Sequence, residues 1–146
     1  MAEGFIRGEE RRKIEKRLSE TMGVARRAAE RRVGTESRYF ASKATEDAYG
    51  KFGVRQFQFL ATLDAKTCPV CGDLGGQVFD MKDYMIGVNA PPIHLNDRCT
   101  TTPYLSDLNE MTGGGRPTRN GEGRTVYEVD GDMTYKAWRD KYAAVM

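Results

Sequence analysis

Val54-Arg-Gln-Phe57-Gln-Phe59-Leu-Ala61-Thr-Leu63-Asp64-Ala-Lys-Thr-Cys68-Pro-Val-Cys71 holds two different patterns within eighteen residues. In its first part Phe57, Phe59, Ala61 and Leu63 alternate with Gln56, Gln58 and Thr62, the period of two that marks a half-buried strand. A strand is therefore predicted over residues 54–63. The second part is a CxxC pair, which lets two thiolates from one tight turn take adjacent corners of a tetrahedral metal site. Twenty-two residues further on comes His94-Leu-Asn-Asp97-Arg-Cys99, so all three cysteines and the only histidine of the 146-residue chain fall within 32 residues. This spacing predicts a structural zinc site formed by Cys68, Cys71, His94 and Cys99, with Asp97 as an alternative fourth ligand because a carboxylate oxygen also binds zinc. Two other readings stay open, a dithiol redox pair and unligated structural thiols. The redox reading calls for a CxxC at the start of a helix following a strand, and no clear amphipathic helix follows Cys71.

The strand and the ligand pairs organise their surroundings. Gly75-Gly76 predicts a tight turn and residues 77–80 a short returning strand, which puts the CxxC in a hairpin. Residues 82–93, with Gly87, Asn89, Pro91 and Pro92, read as an irregular loop presenting His94, and residues 100–104 as a third strand. A sheet this small is not stable alone, and the ligand pairs would staple two of its ends.

Upstream, Ile14, Leu18 and Met22 give a narrow apolar stripe on a helix over residues 9–22. Val24, Ala28, Ala29, Val33, Tyr39, Phe40, Ala44 and Ala48 fit a longer helix to about Tyr49, with Gly34 an internal weak point. The two would form a helical hairpin or bent arm. Downstream, residues 111–123 are glycine-rich and read as loop. Residues 133–142 read as a short capping helix in which Trp138, the only tryptophan, anchors the core. The expected fold is thus α+β: a helical arm over 1–53, a small antiparallel sheet with the Cys/His knuckle over 54–110, a Gly-rich loop over 111–131 and a capping helix over 132–146. Residues 52–146 and the arm are expected to form one folded unit.

No apolar run is long enough to cross a bilayer. The first eight residues lack the apolar segment of a secretory signal, and an odd number of cysteines argues against a disulfide-framed secreted fold. A reducing cytoplasm is the expected setting during folding. The net charge of +2 conceals an asymmetry, because Arg11 to Arg38 holds ten Lys or Arg against four Glu. Arg26, Arg27, Arg31 and Arg32 are candidate contacts to a nucleic-acid backbone, which basic helices follow by sequence-independent electrostatics. The competing reading is a solvated helix face laced with pairs to Glu15, Glu20, Glu30 and Glu36.

Beyond the ligands, several short strings occur in a characteristic order. These are Gly34-Thr35-Glu36, Leu63-Asp64-Ala-Lys-Thr-Cys68-Pro-Val-Cys71, Leu74-Gly75-Gly76-Gln-Val-Phe79, Val88-Asn89-Ala-Pro91-Pro92-Ile-His94, Arg98-Cys99-Thr-Thr-Thr-Pro103 and Asp132-Met-Thr-Tyr135-Lys-Ala-Trp138. Through them the chain resembles the Mu F-like minor head proteins of tailed bacteriophages, the phage head-morphogenesis family, from about Gly4 to Tyr142. It departs from that pattern in three places. Asp97 stands where a cysteine is usual, Gly34 replaces the Arg of Arg-Thr-Glu, and Leu-Asp-Gly has become Leu74-Gly75-Gly76. Family members are usually longer at the N-terminus, so the chain is expected to correspond to a C-terminal domain or shortened product. The resemblance implies a head component present in few copies, in the virion interior and in the host cytoplasm during assembly. Its implied partners are the phage portal protein, other head proteins and packaged DNA, with no membrane and no small-molecule substrate. No enzymatic activity is expected. An HNH-type nuclease needs a histidine general base besides its metal ligands, and His94 alone cannot fill both roles. A zinc deaminase lacks its His-x-Glu. A free-standing zinc-stapled DNA-binding module is the alternative.

Overall fold

The computed structural model describes residues 2–105, 115–119 and 124–142. A short helix α1 (Ala2–Ile6), absent from the sequence reading, precedes α2 (Arg11–Met22) and α3 (Arg26–Lys51). Helix α2 ends at Gly23, whose φ of 59° is the left-handed conformation that a glycine C-cap adopts without a Cβ clash. The chain then reverses and α3 packs against α2.

Helix α3 uses two faces in succession. Ala29 and Val33, both fully buried, face the α2 side, whereas the other buried positions are Ser42 and Tyr49. At 100° per residue the second pair lies roughly 180° from the first. The later face meets the sheet: Tyr49 Oη lies 3.4 Å from Thr101 Oγ1, and Tyr84 Oη donates to the Ser42 carbonyl at 3.3 Å. The expected arm is thus a hairpin whose long helix is shared with the sheet.

Strand β1 (Gln56–Leu60) is the centre of a three-stranded antiparallel sheet, flanked by β2 (Val78–Asp80) and β3 (Thr100–Tyr104). Phe57 stands opposite Phe79 on one side and Pro103 on the other. Pro103 is tolerated because β3 is an edge strand. Phe57, Phe59, Ala61 and Leu63 are all within 1% of complete burial, as their alternation predicts. Between β2 and β3 the chain is irregular, apart from a 3₁₀ turn at Met81–Asp83, and Pro91-Pro92 is cis.

Two expectations are corrected. The CxxC does not sit in a plain hairpin turn: Pro69–Leu74 forms a six-residue helix, α4, with Cys68 as its N-cap. Proline at the first helical position costs nothing, because that N–H has no intrahelical acceptor. The Gly-rich tract is also not all loop, since β4 (Gly115–Arg119) pairs with β5 (Thr125–Asp130) as a hairpin. The reason lies beyond the end of β1. There the Ala61 carbonyl accepts from Arg116 Nη2 at 2.5 Å, and the Leu63 carbonyl accepts from Thr118 Oγ1 and the Arg119 N–H, each at 3.0 Å. Pro117 sits where the pairing register shifts, which spares it a ladder bond. The remainder of the tract, 111–114 and 120–123, lies outside the described residues.

Helix α5 (Tyr135–Tyr142) closes the core with Trp138, 1% exposed and stacked on Tyr135 with ring centroids 5.6 Å apart. The core comprises Phe59, Ala61, Leu63, Cys71, Cys99, Val129, Tyr135 and Trp138. Helices α4 and α5 touch through Gly72, where an added Cβ would lie 2.4 Å from the Tyr135 ring. Gly72→Ala should therefore destabilise the fold by about 2 kcal/mol, a typical cost of overpacking. A urea-unfolding midpoint unchanged from wild type would contradict this packing.

Candidate metal centre

Two short loops converge on the core. In the first, Cys68 Sγ accepts the Cys71 N–H at 3.4 Å, which turns the chain into α4 and directs both thiols the same way. The second loop is folded around Asp97. Its Oδ2 accepts the Ile93 N–H and its Oδ1 the Cys99 N–H, both at 2.8 Å, so one carboxylate holds both ends of the segment that carries His94. Asn96 supports the bend in the left-handed conformation, φ 64°, which asparagine tolerates better than most residues. The loops are tied by Asp64, 3% exposed, which forms a two-point ion pair with the Arg98 guanidinium and also accepts the Lys66 N–H at 2.9 Å.

The candidate donor atoms fall into two overlapping triads, Cys68, Cys71 and His94, and Cys71, Asp97 and Cys99, with the atoms of each within 4.8 Å of one another. Cys71 belongs to both. Thiolates sharing a tetrahedral zinc stand roughly 3.8 Å apart for a Zn–S bond near 2.3 Å, so this spacing needs only small side-chain rotations. Cys68, Cys71, His94 and Cys99 are positioned to bind a metal. His94 Nδ1 lies 2.9 Å from the Leu95 carbonyl. A carbonyl only accepts, so the proton belongs on Nδ1 and the Nε2 lone pair is left for a ligand, the usual outer support of a metal-bound imidazole.

Two of the three thiols favour the protonated form in the metal-free fold. Burial, then the neighbouring Cys99, pushes the Cys71 thiol far up, and burial pushes the Cys99 thiol up to about 11. All three cysteines are free. Buried thiols of this kind are poor nucleophiles, whereas a redox dithiol needs a lowered pKa and access. Helix α4 supplies the helix start that a redox CxxC requires, and Cys71, 1% exposed with a raised pKa, would be the buried partner of such a pair and not its attacking thiol. Asp97 behaves differently. Burial raises its pKa most strongly, but the Cys99 and Ile93 N–H groups outweigh that and hold the carboxyl below its ordinary value.

Asp97, expected only as a possible fourth ligand, is also the clamp of its loop. The available signal was an Asp two residues before another loop residue, a common side-chain-to-backbone turn. The Asp64–Arg98 pair, which joins segments 34 residues apart, left no local signal. Among the candidate nucleic-acid contacts, Arg26 is paired with Glu30 at 3.1 Å, and Arg27, Arg31 and Arg32 are exposed.

Three outcomes follow from this geometry. Cys68→Ser should lower metal content and thermal stability together, because binding to a site absent from the unfolded chain is folding free energy; full occupancy with unchanged melting would refute it. Asp97→Ala should cost about 2 kcal/mol in chelator-treated protein as well, since the buried Cys99 N–H and the part-buried Ile93 N–H lose their acceptor. Equal urea stability of the two apo proteins would show that Asp97 is not a clamp. Asp64→Asn should cost about 2 kcal/mol near neutral pH by leaving Arg98 without its anion. The Asp64 pKa is lowered in the fold: burial opposes the shift most strongly, and the Arg98 and Lys66 hydrogen bonds overcome it. Its contribution is therefore present above about pH 4 and lost as pH falls through the folded value. The gap between variant and wild type should close in acid, which urea titrations at a series of pH values would measure.

Residues 1–102 match the family described as Phage Mu protein F like protein, a span that takes in both arm helices, β1, the CxxC and the Asp97 loop. No curated protein and no solved structure matches the chain. With more than half its length covered, the chain belongs to the phage Mu F-like family of head-morphogenesis proteins.

Proposed function

We propose that the chain is a minor head protein of a tailed bacteriophage or prophage, acting at the portal or capsid interior during head assembly. The observation that supports this reading is the family match over residues 1–102. Within it the metal centre is a zinc staple: Cys68, Cys71, Cys99 and His94 hold the ion, which fixes the two loops against each other and supplies no reaction step. Thiolate and imidazole donors favour zinc over magnesium or calcium, which prefer oxygen. The role is structural, because the single histidine of the chain is committed to the cluster and leaves no second imidazole as a general base. No helix among the described residues is long and apolar enough to cross a membrane.

Co-expression with portal and major head proteins of the same phage, followed by sedimentation, tests the assignment. The chain should travel with portal rings or procapsids in a few copies per particle, and heads assembled without it should be fewer or poorly filled. A chain that stays at the top of the gradient while complete heads form would sink the head-protein reading in favour of a free DNA-binding module. Elemental mass spectrometry of the native protein should give one zinc per chain.

A further inference from the structure

The surplus arginines of the arm are not spread evenly around α3. At 100° per residue, Arg27, Arg31, Gly34 and Arg38 lie within an arc of about 60°, along about 16 Å of helix. That arc is the one that faces the sheet further along the helix, at Ser42 and Tyr49. Over residues 27–38 it instead borders a cleft, closed on its far side by the tip of the metal-centre loop at Asn96. The loop tip is fixed to the helix by the Asn96 N–H, which donates to Thr35 Oγ1 at 3.0 Å. Gly34 keeps the floor open: a Cβ there would approach Arg11 Nη2 to 3.2 Å and Asn96 Oδ1 to 3.5 Å.

The carboxylates nearby are already engaged. Glu30 is paired with Arg26, Glu15 with Arg11 and Asp64 with Arg98, while Asp97 is spent on backbone N–H groups. The side chains of Arg27, Arg31 and Arg38 make no hydrogen bond or ion pair with any described residue. In the groove lined by Arg12, Lys16 and Arg26, by contrast, two of the three cations are paired, Lys16 with Glu20 and Arg26 with Glu30.

We propose that the cleft between α3 and the Asn96 loop binds the phosphate backbone of nucleic acid through Arg27, Arg31 and Arg38, with the Asn96 side-chain amide as a neutral donor. The inference rests on the head-protein reading for its setting and divides the four arginines singled out from sequence. Arg27 and Arg31 belong to the site. Arg26, held by Glu30, and Arg32, roughly 100° around the helix, do not. A 16 Å row matches about five nucleotides of one strand at 3.4 Å each, and three guanidiniums, spaced about 6 and 10 Å along the axis, engage phosphates two to three nucleotides apart without reading bases.

The test uses the full zinc-loaded chain, a mixed-sequence DNA duplex and fluorescence anisotropy across a salt series. R27Q/R31Q/R38Q is compared with R12Q/R26Q/R32Q, which removes the same charge from other faces. The cleft variant should bind at least tenfold more weakly at low salt, with a log–log salt slope shallower by about 2.7, while the control changes less than threefold. Equal losses in the two variants would reduce the effect to net charge and overturn the proposal. Equally tight, equally salt-dependent binding of a poly-glutamate peptide would overturn nucleic acid as the ligand. Both variants are also run in the portal co-sedimentation experiment. A cleft variant that enters heads normally but has lost DNA binding separates the two functions. Normal entry of wild type and equal losses of DNA binding would sink the cleft alone, and failure of wild type to enter heads would sink the head-protein reading.

Discussion

The burial of two thiols against the inner face of β1 is the constraint on which the other elements depend. Cys71 and Cys99 lie in the same apolar cluster as Phe59, Leu63 and Trp138, so the candidate metal centre and the hydrophobic core occupy one volume. A three-stranded sheet beside a two-stranded hairpin makes only a small core, so the shared cluster carries much of the packing. Beyond the β1 segment, four parts of the chain supply its buried residues: α4 with Cys71, the Asp97 loop with Cys99, β5 with Val129, and α5 with Tyr135 and Trp138. Even the tryptophan gives up something for its place, since its buried Nε1–H finds no acceptor among the described residues. A ligated metal would thus tighten every wall of the core at once.

The sequence made the elements with a regular period readable. The apolar recurrence at Ile14, Leu18 and Met22 and the alternation from Phe57 to Leu63 each correspond to an element in the expected place. The CxxC and the His94–Cys99 string marked the right neighbourhood because soft ligands are so few in this chain. What stayed hidden depends on distant partners. Strand β4 is composed of Gly, Arg, Pro and Thr and carries no strand signal; it forms because the Ala61 and Leu63 carbonyls accept from it 55 residues away. Helix α4 is one and a half turns long and capped by a sulfur, too short for periodicity and outside the usual set of capping residues. The double use of Asp97 is invisible without the loop it folds.

The departures from the family pattern acquire local reasons in the structure. Where the pattern has cysteine, Asp97 takes two backbone N–H groups that a thiolate would hold less well, so the position contributes order to the loop instead of a soft donor. At Gly75 an added Cβ would come within 2.9 Å of the Ala61 Cβ, and no side chain fits without backbone adjustment. At Gly34 the missing side chain leaves space that the Arg11 guanidinium borders from the neighbouring helix. Positive charge is retained beside that position while its origin in the chain has moved.

The exchange of faces along α3 turns the helix into a torsional coupler. Ala29 and Val33 fix its rotation against α2, and Ser42 and Tyr49 fix it against the sheet. The twist between those two grips is set by the number of residues separating them. Inserting or deleting one residue between Val33 and Ser42 would turn one grip by about 100° relative to the other, although neither interface had itself been altered. Length in that interval is therefore as constrained as composition. A substitution there leaves the two grips in register, whereas a change in the number of residues does not.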